Sequence, residues 1–190
     1  KEYSHQLHLE FFLKELNLHG FQTTGFEPNS KAASIATQKG ISLIEDYKKL
    51  PDATFDVITM WHVLEHVYDL HEQIAELKRL IKPNGVIIIA VPNFKSFDAF
   101  YYGKDWAAFD VPRHLWHFSK NSIRLLFGQN KFKVVQILPM YFDAFYVSML
   151  SEKYRNNSLS FVRGIFVGAY SNVKGLFTGE FSSQIYIIKP

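Results

Sequence analysis

Apolar positions in this chain fall into short unbroken runs separated by stretches of helical spacing. The run Phe55-Asp56-Val57-Ile58-Thr59-Met60-Trp61 is β-branched and aromatic, too short for a helix, and breaks abruptly into His62-Val63-Leu64-Glu65-His66. It reads as a strand of a parallel sheet covered on both faces. Open α/β sheets bind ligands beyond the carboxyl ends of their strands, so Met60 to His66 fall where a ligand would sit. Asp69 is a helix cap, and Leu70, Ile74, Leu77, Leu80 and Ile81 follow at helical spacing until Lys82-Pro83-Asn84-Gly85. Val86 to Val91 is a second fully apolar strand.

The flanks extend the alternation. Tyr3 to Leu18 predicts a partly buried helix closed by His19-Gly20, Phe21 to Glu27 a strand, and Lys31 to Gln38 a helix capped by Asn29 or Ser30 and closed by Gly40. Ile41 to Ile44 is another short apolar run. Strand, helix, strand, strand, helix, strand is the order of a doubly wound, mostly parallel α/β sheet of Rossmann-like type. Residues 94–118 are irregular and aromatic, the expected form of an insertion or lid. Ser119 then caps a helix to Phe127, Lys133 to Leu138 is a strand, and Asp143 to Tyr154 and Leu159 to Phe177 are helices. Gly164, Gly168 and Gly175 weaken the second of these. Ser183 to Ile188 is a last strand. The 190 residues suit one domain, with 143–180 as a helical C-terminal addition.

Composition narrows the chemistry. A formal charge of +3 with scattered lysines leaves no electrostatic footprint for nucleic acid, and the absence of cysteine removes thiolate nucleophiles and ligands. No apolar run reaches the ~20 residues of a membrane span, and Lys1-Glu2-Tyr3-Ser4-His5 lacks a signal-peptide pattern, which makes the cytoplasm the default expectation.

Four of the eight histidines lie in two clusters. His62-Val63-Leu64-Glu65-His66 spells H-x-x-E-H, a zinc-hydrolase signature when carried on a helix. Here it leaves a strand, which argues against a peptidase. A divalent metal on His62, Glu65 and His66 that orients a substrate hydroxyl is a further alternative, and hydrogen bonding of the turn by Glu65 and His66 is the plain one. In Arg113-His114-Leu115-Trp116-His117, His114 is a candidate general base and His117 reads more readily as a loop residue.

Phe26-Glu27-Pro28-Asn29, Phe55-Asp56-Val57-Ile58, Leu64-Glu65-His66-Val67, Leu80-Ile81-Lys82-Pro83-Asn84-Gly85, Pro112-Arg113-His114-Leu115 and Phe118-Ser119, in this order, resemble a class I S-adenosylmethionine-dependent methyltransferase. Bacterial small-molecule enzymes of the ubiquinone O-methyltransferase type are the most similar. The resemblance covers Gly20 to about Phe142 and implies methyl transfer from S-adenosylmethionine to a small-molecule acceptor, at a hydroxyl, with S-adenosylhomocysteine as product. It assigns Glu27, with Pro28 and Asn29, to the ribose hydroxyls, since a carboxylate takes two donors. Asp46, with Glu45 and Tyr47, falls near the adenine, and Met60, Trp61, His62 and His66 along the rest of the cofactor. Without the resemblance, Glu27 is a surface acid and Asp46 a turn residue. His62 and His114 are the catalytic candidates. Asn93, Tyr101, Tyr102, Trp106, Arg113 and His117 are candidates for an apolar or aromatic acceptor, with a small satellite core as the alternative for the aromatics.

One part of that pattern is missing. The glycine-rich loop after the first strand has no counterpart, because Gly20 is the first glycine of the chain. The resemblance implies that roughly 15–30 residues carrying it belong between Ser4 and Leu13. Natural loss of the loop would instead make a catalytically inactive binding protein. Phe161, Ile165, Phe166, Tyr170 and Phe177 are read as helix packing or homodimer contacts, with a membrane or lipid-like substrate as the alternative.

Overall fold

The computed structural model describes residues 13–156 and 158–190. The expected start of the first helix, from Tyr3, and the expected position of the glycine loop lie outside them. Residues 13–18 are helical and are called α1. The chain divides at Pro51 into a smaller unit and a larger one, Asp52–Pro190.

In the smaller unit, helix α2 (Ser30–Gln38) starts where expected, because the Asn29 side chain accepts from the N–H groups of Lys31 and Ala32. Gly40, at φ +82°, turns the chain back. The two expected strands shrink to a single parallel bridge between Gly25 and Leu43, held by Gly25 N–H to Ser42 O and Ile44 N–H to Gly25 O, both 2.9 Å.

The larger unit is built on strands β1 (Phe55–Trp61), β2 (Ile81–Pro92), β3 (Lys133–Pro139) and β4 (Ser183–Lys189) in the order β1-β2-β4-β3. β1 and β2 are parallel and joined by α3 (Leu70–Leu80), whose N–H at Glu72 is capped by Asp69. β2 begins directly at Ile81. Lys82 to Gly85 are taken up in a register shift, with Phe55 opposite Ile81 and Val57 opposite Val86, and Lys82 Nζ lies 2.7 Å from Asp56. β4 runs antiparallel to both neighbours and separates β2 from β3.

Leu64, Ile74, Ile87, Ile89, Ile123, Phe127, Tyr186 and Ile188 form one continuous core. The insertion contains helix α4 (Phe97–Tyr102) and two 3-10 turns, Gly103–Asp105 and Ala107–Phe109. Ser119 and Ser122 make a reciprocal cap for α5 (Lys120–Gly128).

Helices α6 (Tyr141–Tyr154) and α7 (Ser160–Thr178) form a hairpin between β3 and β4. The glycines that weaken α7 by propensity are its packing face. A Cβ on Gly164 would come within 2.6 Å of Met149 Cα, and one on Gly168 within 2.8 Å of the Ala144 carbonyl oxygen. Close backbone approach outweighs propensity here.

Candidate functional site

The residues expected at the cofactor are divided between the two units. In the smaller, the Gly25–Leu43 bridge fixes the register of two adjacent segments, with Glu27 two residues past one bridge partner and Glu45 two past the other. Glu27 Oε1 accepts the Asn29 N–H at 2.9 Å, which holds the carboxylate on the loop leading into α2. Asp46 caps the 3-10 turn Tyr47–Lys49 through Lys48 N–H. The rings of Phe26 and Tyr47 meet edge to face at 4.8 Å between centroids.

In the larger unit, chemistry gathers where β1 ends. Met60 is buried under the core, and His62 takes φ +52°, which turns the chain out of the strand while its N–H still bonds Ala90 O. Its ring is clamped on both sides. Nδ1 lies 3.1 Å from Glu65 Oε1, and Nε2 lies 2.9 Å from Asp143 Oδ2, in the first turn of α6. Burial alone would lower the imidazole pKa, but hydrogen bonds from both ring nitrogens to carboxylates, together with those two negative charges, lift it to about 10. His62 is therefore an imidazolium at neutral pH. With both N–H groups donated to carboxylates, the ring in this state offers no lone pair to a proton or a metal. The zinc-hydrolase geometry fails as well, because residues 62–66 run from a strand end into the 3-10 turn Leu64–His66 rather than along a helix.

A second set of groups includes Glu65. One donor atom each from Glu65, His66 and His114 fall within 4.8 Å of one another. Glu65 is 1% exposed, and its Oε2 has no hydrogen-bond partner among the described residues. His66 Nδ1 donates to Arg113 O at 3.0 Å and His114 Nδ1 to Ala108 O at 2.8 Å. A carbonyl only accepts, so both rings carry a proton on Nδ1. Burial holds the His114 pKa below the ordinary histidine value, so this ring is neutral at pH 7. The Glu65 carbonyl oxygen takes the N–H groups of Leu115 and Trp116, which pins the insertion to the turn.

The acceptor candidates separate by burial. Asn93, Tyr102 and Trp106 are enclosed: the Asn93 side-chain amide donates to Glu180 and Phe181 O, the Tyr102 hydroxyl to Glu152, and Trp106 Nε1 to Asp98. In this structure they are interior ties, and Tyr102 and Trp106 belong to a small satellite core, the alternative weighed for the aromatics. Tyr101 and Arg113 stay at the surface. His117 bonds Phe109 O through Nε2. Sequence reasoning missed Asp143 and Asp110. Asp110 sits four residues before His114, with Oδ2 4.0 Å from its Nε2 and Oδ1 bonded to Arg113. That spacing was a readable signal, whereas nothing in the sequence links Asp143 to His62.

The model of a family described as a methyltransferase domain matches residues 10–137. A ubiquinone biosynthesis O-methyltransferase of Maricaulis maris is 30% identical over 119 residues, 57% of this chain and 46% of the relative. One of Rhodopseudomonas palustris strain TIE-1 is 30% identical over 110 residues, 51% of this chain and 43% of that protein. The chain thus spans just under half the length of these curated relatives. Among solved structures, a SAM-dependent methyltransferase from Archaeoglobus fulgidus superposes with a TM-score of 0.62 at 19% identity, covering 94% of this chain and 80% of the other, a likeness of fold. With its sheet and the family match over two thirds of its length, the chain belongs to the class I S-adenosylmethionine-dependent methyltransferases.

Proposed function

We propose that the protein transfers the methyl group of S-adenosylmethionine to a hydroxyl of a small molecule. The observation that carries this reading is the bridge-fixed pair of acidic segments in the smaller unit, Glu27 and Glu45-Asp46; within the larger unit, His114 is the neutral proton acceptor. The relatives' names supply the hydroxyl. When bound, the sulfonium cofactor brings a methyl group that already carries its own driving force, so positioning and one proton acceptor suffice. The chain's residues fit that group in part. Glu27 has a second carboxylate oxygen for ribose hydroxyls beyond the one on Asn29, and Asp46 and Tyr47 offer a polar and an aromatic contact to the base. His114 Nε2 takes the acceptor's proton.

Titration with S-adenosylhomocysteine tests the cofactor half. Micromolar binding, on the order of −8 kcal/mol, is expected for the whole chain, and Glu27→Ala should weaken it at least tenfold with the circular dichroism spectrum unchanged. Equal affinity in the variant overturns the assignment.

A second reading rests on the cluster that includes Glu65. Glu65, His66 and His114 form a two-histidine, one-carboxylate donor set, each ring already oriented by a backbone carbonyl. In this reading a divalent cation held there polarises the acceptor hydroxyl, and His114 is a ligand instead of a base. Wild-type protein equilibrated with Mn2+ or Zn2+ and then desalted should retain one ion per chain, and His114→Ala should retain none. Equal retention by both, or none by either, rejects the cation and leaves His114 as the base.

A further inference from the structure

The hairpin of α6 and α7 begins after residue 137, where the family match ends. Its inner face is made of small residues: Gly164, Gly168, Ser171 and Gly175 recur at steps of three and four and are all buried. Because α7 lies so close against its neighbours, its large side chains have nowhere to go but outward. Val162, Ile165, Phe166, Val173, Leu176 and Phe177 share the outer side, with Phe166 71% and Phe177 85% exposed. Scattered exposed apolar residues are ordinary, but a continuous stripe of this size marks a contact surface.

The charges say what kind. Between 144 and 178 the only acidic residue is Glu152, and it is buried, while Lys153, Arg155, Arg163 and Lys174 are all exposed. Arg163 and Lys174 are eleven positions apart, about three helical turns, so both border the same edge of the apolar stripe. Arg155 is held by Asp105, and Arg163 lies 3.8 Å from the buried Glu152, but a second copy of the chain seated on this face would still set Arg163 and Lys174 against their own equivalents, with no exposed acid between 144 and 178 to separate them. An anionic bilayer supplies both complements at once, acyl chains for the stripe and phosphates for its edge. No helix among the described residues is long and apolar enough to cross a membrane.

We infer that α7 docks the protein on an anionic lipid surface, lying in the plane of the interface with Phe166 and Phe177 among the acyl chains and Arg163 and Lys174 at the phosphates. The docking is independent of the proposed reaction.

Sedimentation of the whole chain with vesicles is the test. Vesicles of phosphatidylcholine with phosphatidylglycerol should carry the protein down, phosphatidylcholine alone at least fivefold less, and added salt should release it. Phe166→Ser with Phe177→Ser should lose binding at least tenfold while keeping the wild-type circular dichroism spectrum. Should that pair fail to fold, Lys174→Glu alone should still weaken anionic-vesicle binding severalfold. The inference is overturned by absence of binding to anionic vesicles, by undiminished binding in the folded double variant and in Lys174→Glu, or by self-association through this face in place of lipid binding.

Discussion

His62→Gln is expected to lower the unfolding free energy at pH 7 by roughly 3–5 kcal/mol, the cost of removing one partner from a buried ion cluster. The loss comes chiefly from what is left behind. Glu65 is almost wholly enclosed, and without the imidazolium its charge has no compensating cation beside it. The wild-type protein should respond in the alkaline direction. Its imidazole titrates at about 10 when folded, against about 6.5 in an unfolded chain. A pKa raised by folding gives its full stabilisation below the unfolded value and loses it as pH climbs through the folded one. Thermal midpoints of wild type should therefore decline between pH ~6.5 and ~10, more steeply than those of His62→Gln. Parallel pH profiles for the two proteins would mean that the ring is not held as a cation.

Gly168→Ala should destabilise the protein by about 2 kcal/mol, although alanine in an isolated helix gains about 1 kcal/mol over glycine. The new methyl would meet the Ala144 carbonyl oxygen and Phe145 Cα at 2.8 Å, both backbone atoms of α6 that cannot rotate away. The hairpin would have to open to admit it. A fall in the urea midpoint checks this, and a rise would show that the helices have room to part. A substitution at Gly128, where a Cβ meets nothing within 4 Å, is the natural control.

Most of the larger unit was legible because its signals are local. Asn29, Asp69 and Ser119 cap the helices they were expected to cap, and the apolar runs at Phe55 and Val86 are paired strands. The position of β4 was not legible. Its apolar pattern announces a strand, but insertion between β2 and β3 is decided by tertiary packing. The glycines of α7 misled in the opposite direction, since propensity is blind to a neighbouring backbone. At the site, the position of the Met60 to His66 turn followed from strand polarity alone. The role of His62 did not, because it depends on Asp143, which arrives from a helix more than eighty positions later. His62 and His66, two residues of one motif, differ in their partners: carboxylates hold both nitrogens of the first, a backbone carbonyl holds Nδ1 of the second.

The strand order also has a consequence for how the chain is made. Ile88 pairs with Ile187 about a hundred positions later, and among the described residues β3 pairs with β4 alone. As the polypeptide leaves the ribosome, β1, α3 and β2 can assemble early, while β3 and the whole hairpin wait with their pairing edges open. The segment from Ser183 to Lys189 closes both gaps in one step, so the exposed aromatic helix is synthesised before the strand that fixes its base. During that interval a newborn chain presents its most apolar exposed helix together with two unpaired sheet edges.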